Sequence, residues 1–530
     1  MVPGLLTWST ILAAVLLSYF QPVWVAVFII IFDLYWFFMA LNILIHLVHT
    51  YHMLGAHKKI DWSRRCEDLR SPKELLHQIQ EQLKSEPDGW VREILSKEII
   101  SLKRVVAEGR KPEWDKIMHL ILLPTVSESY HVLETSIASY AAADFPTQNK
   151  VMVLATESRG SSDRQEIARK LQERFEASFS KFIITVHPDD VPGEAKVKGA
   201  NITYAAKQAK QYFDQQGIEL ENILVSAFDS DTVVPRDYFS KLTYTFLTAK
   251  KPLRSSYQPT PLFHNNVWDT PAVNRVAAAS NSFWQMIETS RPDRLITFSS
   301  HSLSFKTLVE VGYWPVDLIP DDSRIFWKCF IHFDGDYRVE PLYTTVSLDA
   351  VALEGYSASL FGQYKQYLRW AWGVIDVVYI IDKFWGNKRI PLGKRLLNVY
   401  RLSIAHYFWA NAALMIAALG WLPLILGGDR FSNEVFALNL PSTTSTIMTI
   451  SMAFLVVSVI INFIMLPDRP KNYGRVRSIG MVVQWVLVPV FSLIILAMPA
   501  IEAQTRLMIG KPLERFWVTP KYRKLPKENA

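Results

Sequence analysis

Hydrophobic and polar positions divide this chain into three stretches. Residues 3–20 and 22–49 are apolar and almost free of charge. Each is about as long as the roughly 20-residue helix that crosses a ~30 Å hydrocarbon layer, so both are predicted to span a membrane. Asp33 is the lone acid within them, and no role is assigned to it. His46, His49 and His52 recur every third residue at the end of the second run, where headgroup-level polar residues are expected rather than a metal face. A polar stretch follows from about Tyr51 to Pro391. Apolar runs then return at 402–426, 443–466 and 479–501.

Within the polar stretch, short apolar runs alternate with segments of helical spacing. Residues 117–123, 151–155, 182–186 and 223–228 read as strands, and 134–143, 164–175 and 200–213 as the helices between them. Such alternation predicts a mostly parallel sheet covered by helices, with ligands held beyond the carboxyl ends of the strands. Thr125, Glu128, Glu157 and Asp229 fall at or just after such ends. Residues 71–108 read as a charged helical section joining the sheet to the membrane segments.

Charge sets the orientation. The loop at 427–441 holds Asp429, Arg430 and Glu434, whereas the next holds Arg469, Lys471, Arg475 and Arg477. The positive-inside rule puts the second loop in the cytosol and, by alternation, the sheet as well. Lys58, Lys59, Arg64, Arg65, Lys388, Arg389, Lys394 and Arg395 at the borders of the polar stretch agree. The start lacks a basic region ahead of its apolar run, so a cleaved signal peptide is not expected. Pro489 and Pro499 are expected to divide the last run into a re-entrant or interface-lying pair of short helices, leaving the C-terminus cytosolic. The expectation is a multi-pass cell-membrane protein with a cytosolic α/β domain and the lipid bilayer as a partner.

Composition adjusts this picture little. The 530 residues are 50% hydrophobic and 13% aromatic, above a typical soluble chain. The formal charge of +7 is accounted for by basic loops beside membrane spans. No nucleic-acid motif accompanies it, so no nucleic-acid partner is expected. The only cysteines, Cys66 and Cys329, support neither a disulfide framework nor a zinc site.

Three motifs carry candidate chemistry. Asp229-Ser230-Asp231 ends an apolar strand, where two adjacent carboxylates would repel unless a cation joined them. Mg²⁺ or Mn²⁺ suits carboxylate oxygens and keeps positions open for phosphate, and a solvated loop is the plainer alternative. Asp334-Gly335-Asp336 has the same spacing but reads as a turn before a strand. Asp321-Asp322 could supply a general base, or an N-cap for the helical run at 324–332. In Gln366-Tyr367-Leu368-Arg369-Trp370, an amide, a guanidinium and an indole share one helix face, opposite an apolar side. Alone, that pattern is also an ordinary amphipathic helix.

In this order the motifs resemble the membrane-bound, cellulose-synthase-like family 2 glycosyltransferases, from about residue 117 to the C-terminus. Pro124-Thr125-Val126-Ser127-Glu128 resembles the family's nucleotide-binding opening, with Ser127 in place of asparagine. Lys198-Gly199-Ala200-Asn201 looks like its Lys-Ala-Gly-Asn element. Asp229 and Asp231 match its metal-binding pair, and Pro320-Asp321-Asp322 stands where Thr-Glu-Asp is usual. Gln366, Arg369 and Trp370 fit Gln-x-x-Arg-Trp, and Phe516-Trp517-Val518-Thr519-Pro520-Lys521 fits the gating segment Phe-x-Val-Thr-x-Lys. Thr156-Glu157 replaces the family's Asp-Asp, which leaves the nucleotide base open. No PilZ-like domain is expected after the gating segment.

The resemblance implies a GT-A catalytic fold and transfer of a sugar from a nucleotide-sugar to a growing polysaccharide or lipid-linked glycan. The hexosyltransferase-type reaction would be metal-dependent and inverting. Asp322, with Asp321 beside it, would be catalytic. Thr125, Glu128, Glu157, Lys198, Asn201, Asp229, Gln366, Arg369, Trp370, Thr519 and Lys521 would bind the nucleotide-sugar, and Asp229 and Asp231 the metal. The alternatives are single transfer to polyprenyl phosphate or another lipid, and a nucleotide-binding transporter or scaffold without transfer chemistry. The expected organisation runs from a membrane helix pair (1–50) through a helical linker (51–116), a GT-A domain (117–361) and interface helices (362–398). C-terminal membrane helices (399–510) and a gating-like tail (511–530) complete it.

Overall fold

The computed structural model describes residues 2–160, 162–470, 473–513, 517–519, 521 and 523. Lys471, Phe516 and Pro520, used in the sequence reading, lie outside them. The chain forms two compact units, each discontinuous in sequence. One comprises Met1–Val48, Trp268–Ser280 and Val351–Thr519, the other His49–Val267, Asn281–Ala350 and Pro520–Ala530.

The second unit is built on a seven-stranded sheet. Its strands are β1 (Met118–Pro124), β2 (Lys150–Glu157), β3 (Lys181–His187), β4 (Ile223–Ala227), β5 (Ser255–Leu262), β6 (Ser302–Ser304) and β7 (Arg338–Ser347), in the order β3-β2-β1-β4-β6-β5-β7. β1 to β4 pair parallel, β7 pairs parallel with β5, and β6 runs antiparallel to both its neighbours. The first four coincide with the predicted strands. β1, β2 and β4 read as continuous apolar runs because both their faces are covered, with every residue of β2 and β4 buried, whereas β3, at the sheet edge, leaves Lys181 and Val186 exposed. β5 and β6 were not legible, since Ser-Ser-Tyr-Gln-Pro-Thr-Pro-Leu and Ser-Leu-Ser carry hydroxyls and prolines in place of apolar alternation. Their hydroxyls find partners inside the sheet and outside it, Ser302 on Ser226 at 2.7 Å, Ser256 on Tyr337 at 2.7 Å and Thr260 on Thr289 at 3.0 Å, while Ser304 Oγ is buried without one.

Asp334-Gly335-Asp336 is the predicted turn, with Asp334 and Gly335 at φ of 51° and 82°. Lys251 and Arg254 hold Asp336 from outside the turn. Upstream, the helices Trp62–Asp68 and Gly89–Ala107 start at Asp61 and Asp88, whose side chains accept first-turn N–H groups. Leu75, Ile79, Ile94, Leu95 and Leu102 from this section join the core formed by Ile121, Leu123, Phe228 and Tyr257. The section is therefore part of the sheet's own core and not only a surface connector. His52 stacks on Trp90 at 4.9 Å, and His49 meets the same ring edge-on at 5.5 Å.

Among the described residues, four helices are long and apolar enough to cross a membrane: Val2–Phe20, Pro22–His57, Val435–Met465 and Ser478–Met508. A fifth span arises if Leu392–Ala417 and Leu419–Leu426, bent by 46°, count as one. Pro489 and Pro499 do not break the last run as expected. Both sit in the first turns of helical segments, where the missing N–H is not needed, and between them Phe491–Ala497 widens into a π-helix. Gly4 lets the first helix approach the last closely, because a Cβ there would lie 2.6 Å from the Gln504 carbonyl oxygen. Thr7 donates to Gln504 at 2.7 Å and accepts from Asn411 at 3.0 Å, a polar join of the kind that fixes helices in lipid.

Candidate active site

β1 lies at the point where strand order reverses: the chain moves outward through β2 and β3, then returns to pair β4 on the other side of β1. That arrangement opens a crevice beyond the carboxyl ends of β1 and β4. After β1, Glu128 folds back on its own loop, its carboxylate accepting from the Thr125 hydroxyl (2.8 Å) and the N–H groups of Val126 (2.8 Å) and Ser127 (3.1 Å). Burial alone would raise its pKa. The charge of Lys521 and these hydrogen bonds outweigh that and hold Glu128 below its ordinary value. At the end of β2, Glu157 is buried and paired with Arg159, and burial raises its pKa in spite of that partner.

Beyond β4 the two acidic motifs meet. Lys198, the first residue of the helix Lys198–Gln216, donates to Asp229 at 2.7 Å and to Asp322 at 3.1 Å. Gly199 makes this approach possible: a Cβ there would lie 2.1 Å from the Pro315 carbonyl oxygen and 3.1 Å from Asp321 Cβ. Ser299 donates to the other oxygen of Asp229 at 2.6 Å. Burial would raise Asp229, but Lys198 and Lys521 hold it well below the usual carboxylate range. Burial would lower Lys198, and Asp229 and Asp322 raise it instead. Lys198 and Asp229 thus favour each other's charged forms.

The paired aspartates differ. Asp321 and Asp322 form the first turn of the helix Asp321–His332, and Pro320 holds the N-cap position, so neither acid caps the helix as the N-cap alternative required. Asp321 is buried with Oδ2 unpartnered, and burial together with the charge of Asp322 pushes its pKa up to about 8. The Asp322 side chain is 26% exposed. Of the two, Asp322 is the one within reach of an incoming molecule. His301, fully buried, donates through Nδ1 to the Phe298 carbonyl (2.8 Å) and accepts the Trp314 indole N–H (3.2 Å), and this braced ring lies 3.6 Å from Asp322 Oδ1. Asn201 is likewise interior, donating to the Ala155 carbonyl of β2 at 2.8 Å.

Asp231 is held from both sides. Its Oδ2 accepts the Asp349 backbone N–H at 2.8 Å, and its Oδ1 pairs with Lys521, which also donates to Ser230 Oγ at 3.0 Å. Burial raises Asp231 against the opposing charge of Lys521. Ser299, Asp349 and Arg523 belong to this constellation and were absent from the sequence reading. Nothing in their local sequence marks them, since each arrives from a distant loop or the tail. Among the described residues, no three His, Cys, Asp or Glu side chains converge as a closed metal site. Two hard carboxylates at a strand end, in a cluster where acids outnumber Lys198, Lys521 and Arg523, still fit a divalent cation that takes its other ligands from phosphate.

In the other unit, Gln366, Arg369 and Trp370 lie on the helix Tyr356–Ala371. The apolar side is buried as expected, with Tyr367 against Phe491 at 5.8 Å. Gln366 is itself buried, accepting from Gln363, which in turn accepts from Asn274. It anchors the helix from within, while Arg369 and Trp370 are half-buried. Trp517 packs on the same helix, 3.3 Å from the position a Cβ on Gly362 would take. Thr519 is buried with its hydroxyl unpartnered.

A family model described as glycosyl transferase family group 2 matches residues 224–466, which include both acidic motifs and Gln366, Arg369 and Trp370. This stretch, just under half of the chain, is similar to that family. The sheet to which it contributes β4 to β7 is a mostly parallel α/β sheet of GT-A-like type. Among solved structures, a mannosyltransferase from Pyrobaculum calidifontis in complex with GDP-Man and Mn²⁺ is similar at 15% identity and a TM-score of 0.40, covering 80% of this chain and 99% of its own. TarS of S. aureus is similar at 10% identity and a TM-score of 0.34, covering 64% of this chain and 54% of its own. A shorter form of TarS in complex with UDP-GlcNAc gives 10% and 0.34, over 74% and 93%. No curated protein matches the chain.

Proposed function

We propose that this protein is a multi-pass membrane glycosyltransferase of the cellulose-synthase-like kind. It moves a sugar from a nucleotide-sugar, with inversion, to a growing polysaccharide or lipid-linked glycan. The observation that supports this reading is the Lys198 ammonium shared by Asp229 and Asp322, so that the acid assigned here to the metal and the acid assigned here as base lie side by side near the switch point of the sheet.

Asp322 takes the proton of the acceptor hydroxyl as that oxygen attacks the anomeric carbon. The bond from that carbon to the diphosphate oxygen breaks on the opposite face, and a single displacement inverts the centre. Lys198 lies between Asp322 and Asp229, where its charge would face the departing diphosphate, and Lys521 adds a second ammonium beside Asp231. Arg369 offers a bidentate donor for phosphate, and Trp370 an apolar ring for a pyranose. Asp229 and Asp231 would hold Mg²⁺ or Mn²⁺, which supplies charge neutralisation for the departing diphosphate.

The test is a panel of nucleotide-sugars offered to the full-length protein in lipid with and without Mn²⁺, with products weighed by mass spectrometry. A ladder of products identifies a polymerase, and a single added sugar on a lipid identifies the simpler transfer. Turnover undiminished in Asp322→Asn would remove the proposed base.

A further inference from the structure

Lys521 is the last residue of the gating-like segment, and the residue that fixes it lies outside every motif. Arg523 makes a forked contact with Asp349, from Nη2 to Oδ1 at 2.6 Å and from Nε to Oδ1 and Oδ2 at 3.0 and 3.1 Å. The pair is withdrawn from solvent, with side chains 10% and 2% exposed. Asp349 also donates its backbone N–H to Asp231 at 2.8 Å. Asn265 ties the two together, donating to the Asp231 carbonyl at 2.8 Å and to the Asp349 carboxylate at 2.9 Å.

We propose that Asp349 and Arg523 are positioning residues that seat the Lys521 ammonium beside Asp231, so that Lys521 yields an oxygen of Asp231 to an arriving cation and meets the diphosphate that comes with it. This rests on the donor-binding reading above. A planar guanidinium gripping a carboxylate at two points restricts the tail far more than an exposed ion pair would, and Lys521 is only two residues away. Without cation and donor, the ammonium partners Asp231 by itself. With both, it would exchange a carboxylate for a phosphate over a short distance, because Arg523 keeps its grip.

This arrangement predicts opposite effects on two ligands. In full-length protein in detergent, Mn²⁺ binding is followed by the loss of the free-ion spin-resonance signal, and UDP, GDP, ADP and CDP binding by calorimetry at saturating Mn²⁺. Freeing the tail by Arg523→Gln should tighten Mn²⁺ alone, since Lys521 competes less, and weaken the preferred nucleotide about tenfold. Asp349→Asn keeps its backbone N–H and should match Arg523→Gln, and the double variant should lose no more than either single one. Affinities that move in the same direction, fail to move, or add in the double variant would overturn the positioning role while leaving the donor reading intact. If the wild-type protein binds none of the four nucleotides, the donor reading falls and this proposal falls with it.

Discussion

Replacing Lys198 by methionine keeps the length and apolar stem of the side chain and removes one charge from the centre of the cluster. Its two ion pairs, at 2.7 and 3.1 Å, each correspond to about 5–6 kcal/mol of gross attraction at an effective dielectric of 20. Desolvation of all three groups offsets much of that, and removing one partner of a buried pair costs about 3–5 kcal/mol in practice. The side chains of Asp229 and Asp322 are 29% and 26% exposed, so water screens them in part and the lower end, about 3 kcal/mol, is expected. For a domain of this size that corresponds to a fall in melting temperature on the order of 10 °C. Thermal unfolding of the full-length protein in detergent, followed by tryptophan fluorescence, measures it. Saturating Mn²⁺ should restore a large part of the loss, because the cation supplies the charge that lysine supplied. Adding Asp322→Asn to Lys198→Met should also recover stability, since one unpaired carboxylate is removed. A melting temperature within about 2 °C of wild type, or a double variant less stable than the single one, would refute the claim that Lys198 holds the motifs together.

Four further outcomes are expected. Asp322→Asn should lower turnover about 10²–10⁴-fold with donor binding retained, measured by steady-state kinetics. Asp231→Asn should abolish the stimulation by Mn²⁺ in the same assay. Arg369→Lys should raise the donor KM about tenfold, because a point charge cannot reproduce a forked contact. Asp321→Asn should flatten the dependence of stability on pH. The folded-state pKa of Asp321 is raised to about 8 from an unfolded value of about 4, so its contribution is fully present below about pH 4 and lost as pH rises through about 8. Wild-type melting temperature should therefore decline across that window more than that of the variant.

The amino-acid sequence by itself determined the membrane runs, the first four strands and the places where acids follow strand ends. Those depend on local quantities: an uninterrupted apolar length, a period of two or of about 3.6, and a polar residue where the apolar run stops. For Asp229, Asp231, Asp322 and Lys198 the sequence was enough to propose a site. Only the tertiary structure decided that Lys198 joins Asp229 to Asp322, because the three residues are brought together by the close approach that Gly199 permits. It also separated two neighbouring aspartates, burying Asp321 and leaving Asp322 within reach, a difference set by burial rather than by residue type. Gln366 and Asn201 turned inward for the same reason: an amide satisfies a buried helix as readily as it meets a ligand. β5 and β6 stayed hidden because their polar side chains are buried against partners distant in sequence, such as Ser226, Tyr337 and Thr289. Asp349 and Arg523 could not be read at all, since a contact between residues 174 positions apart leaves no local trace.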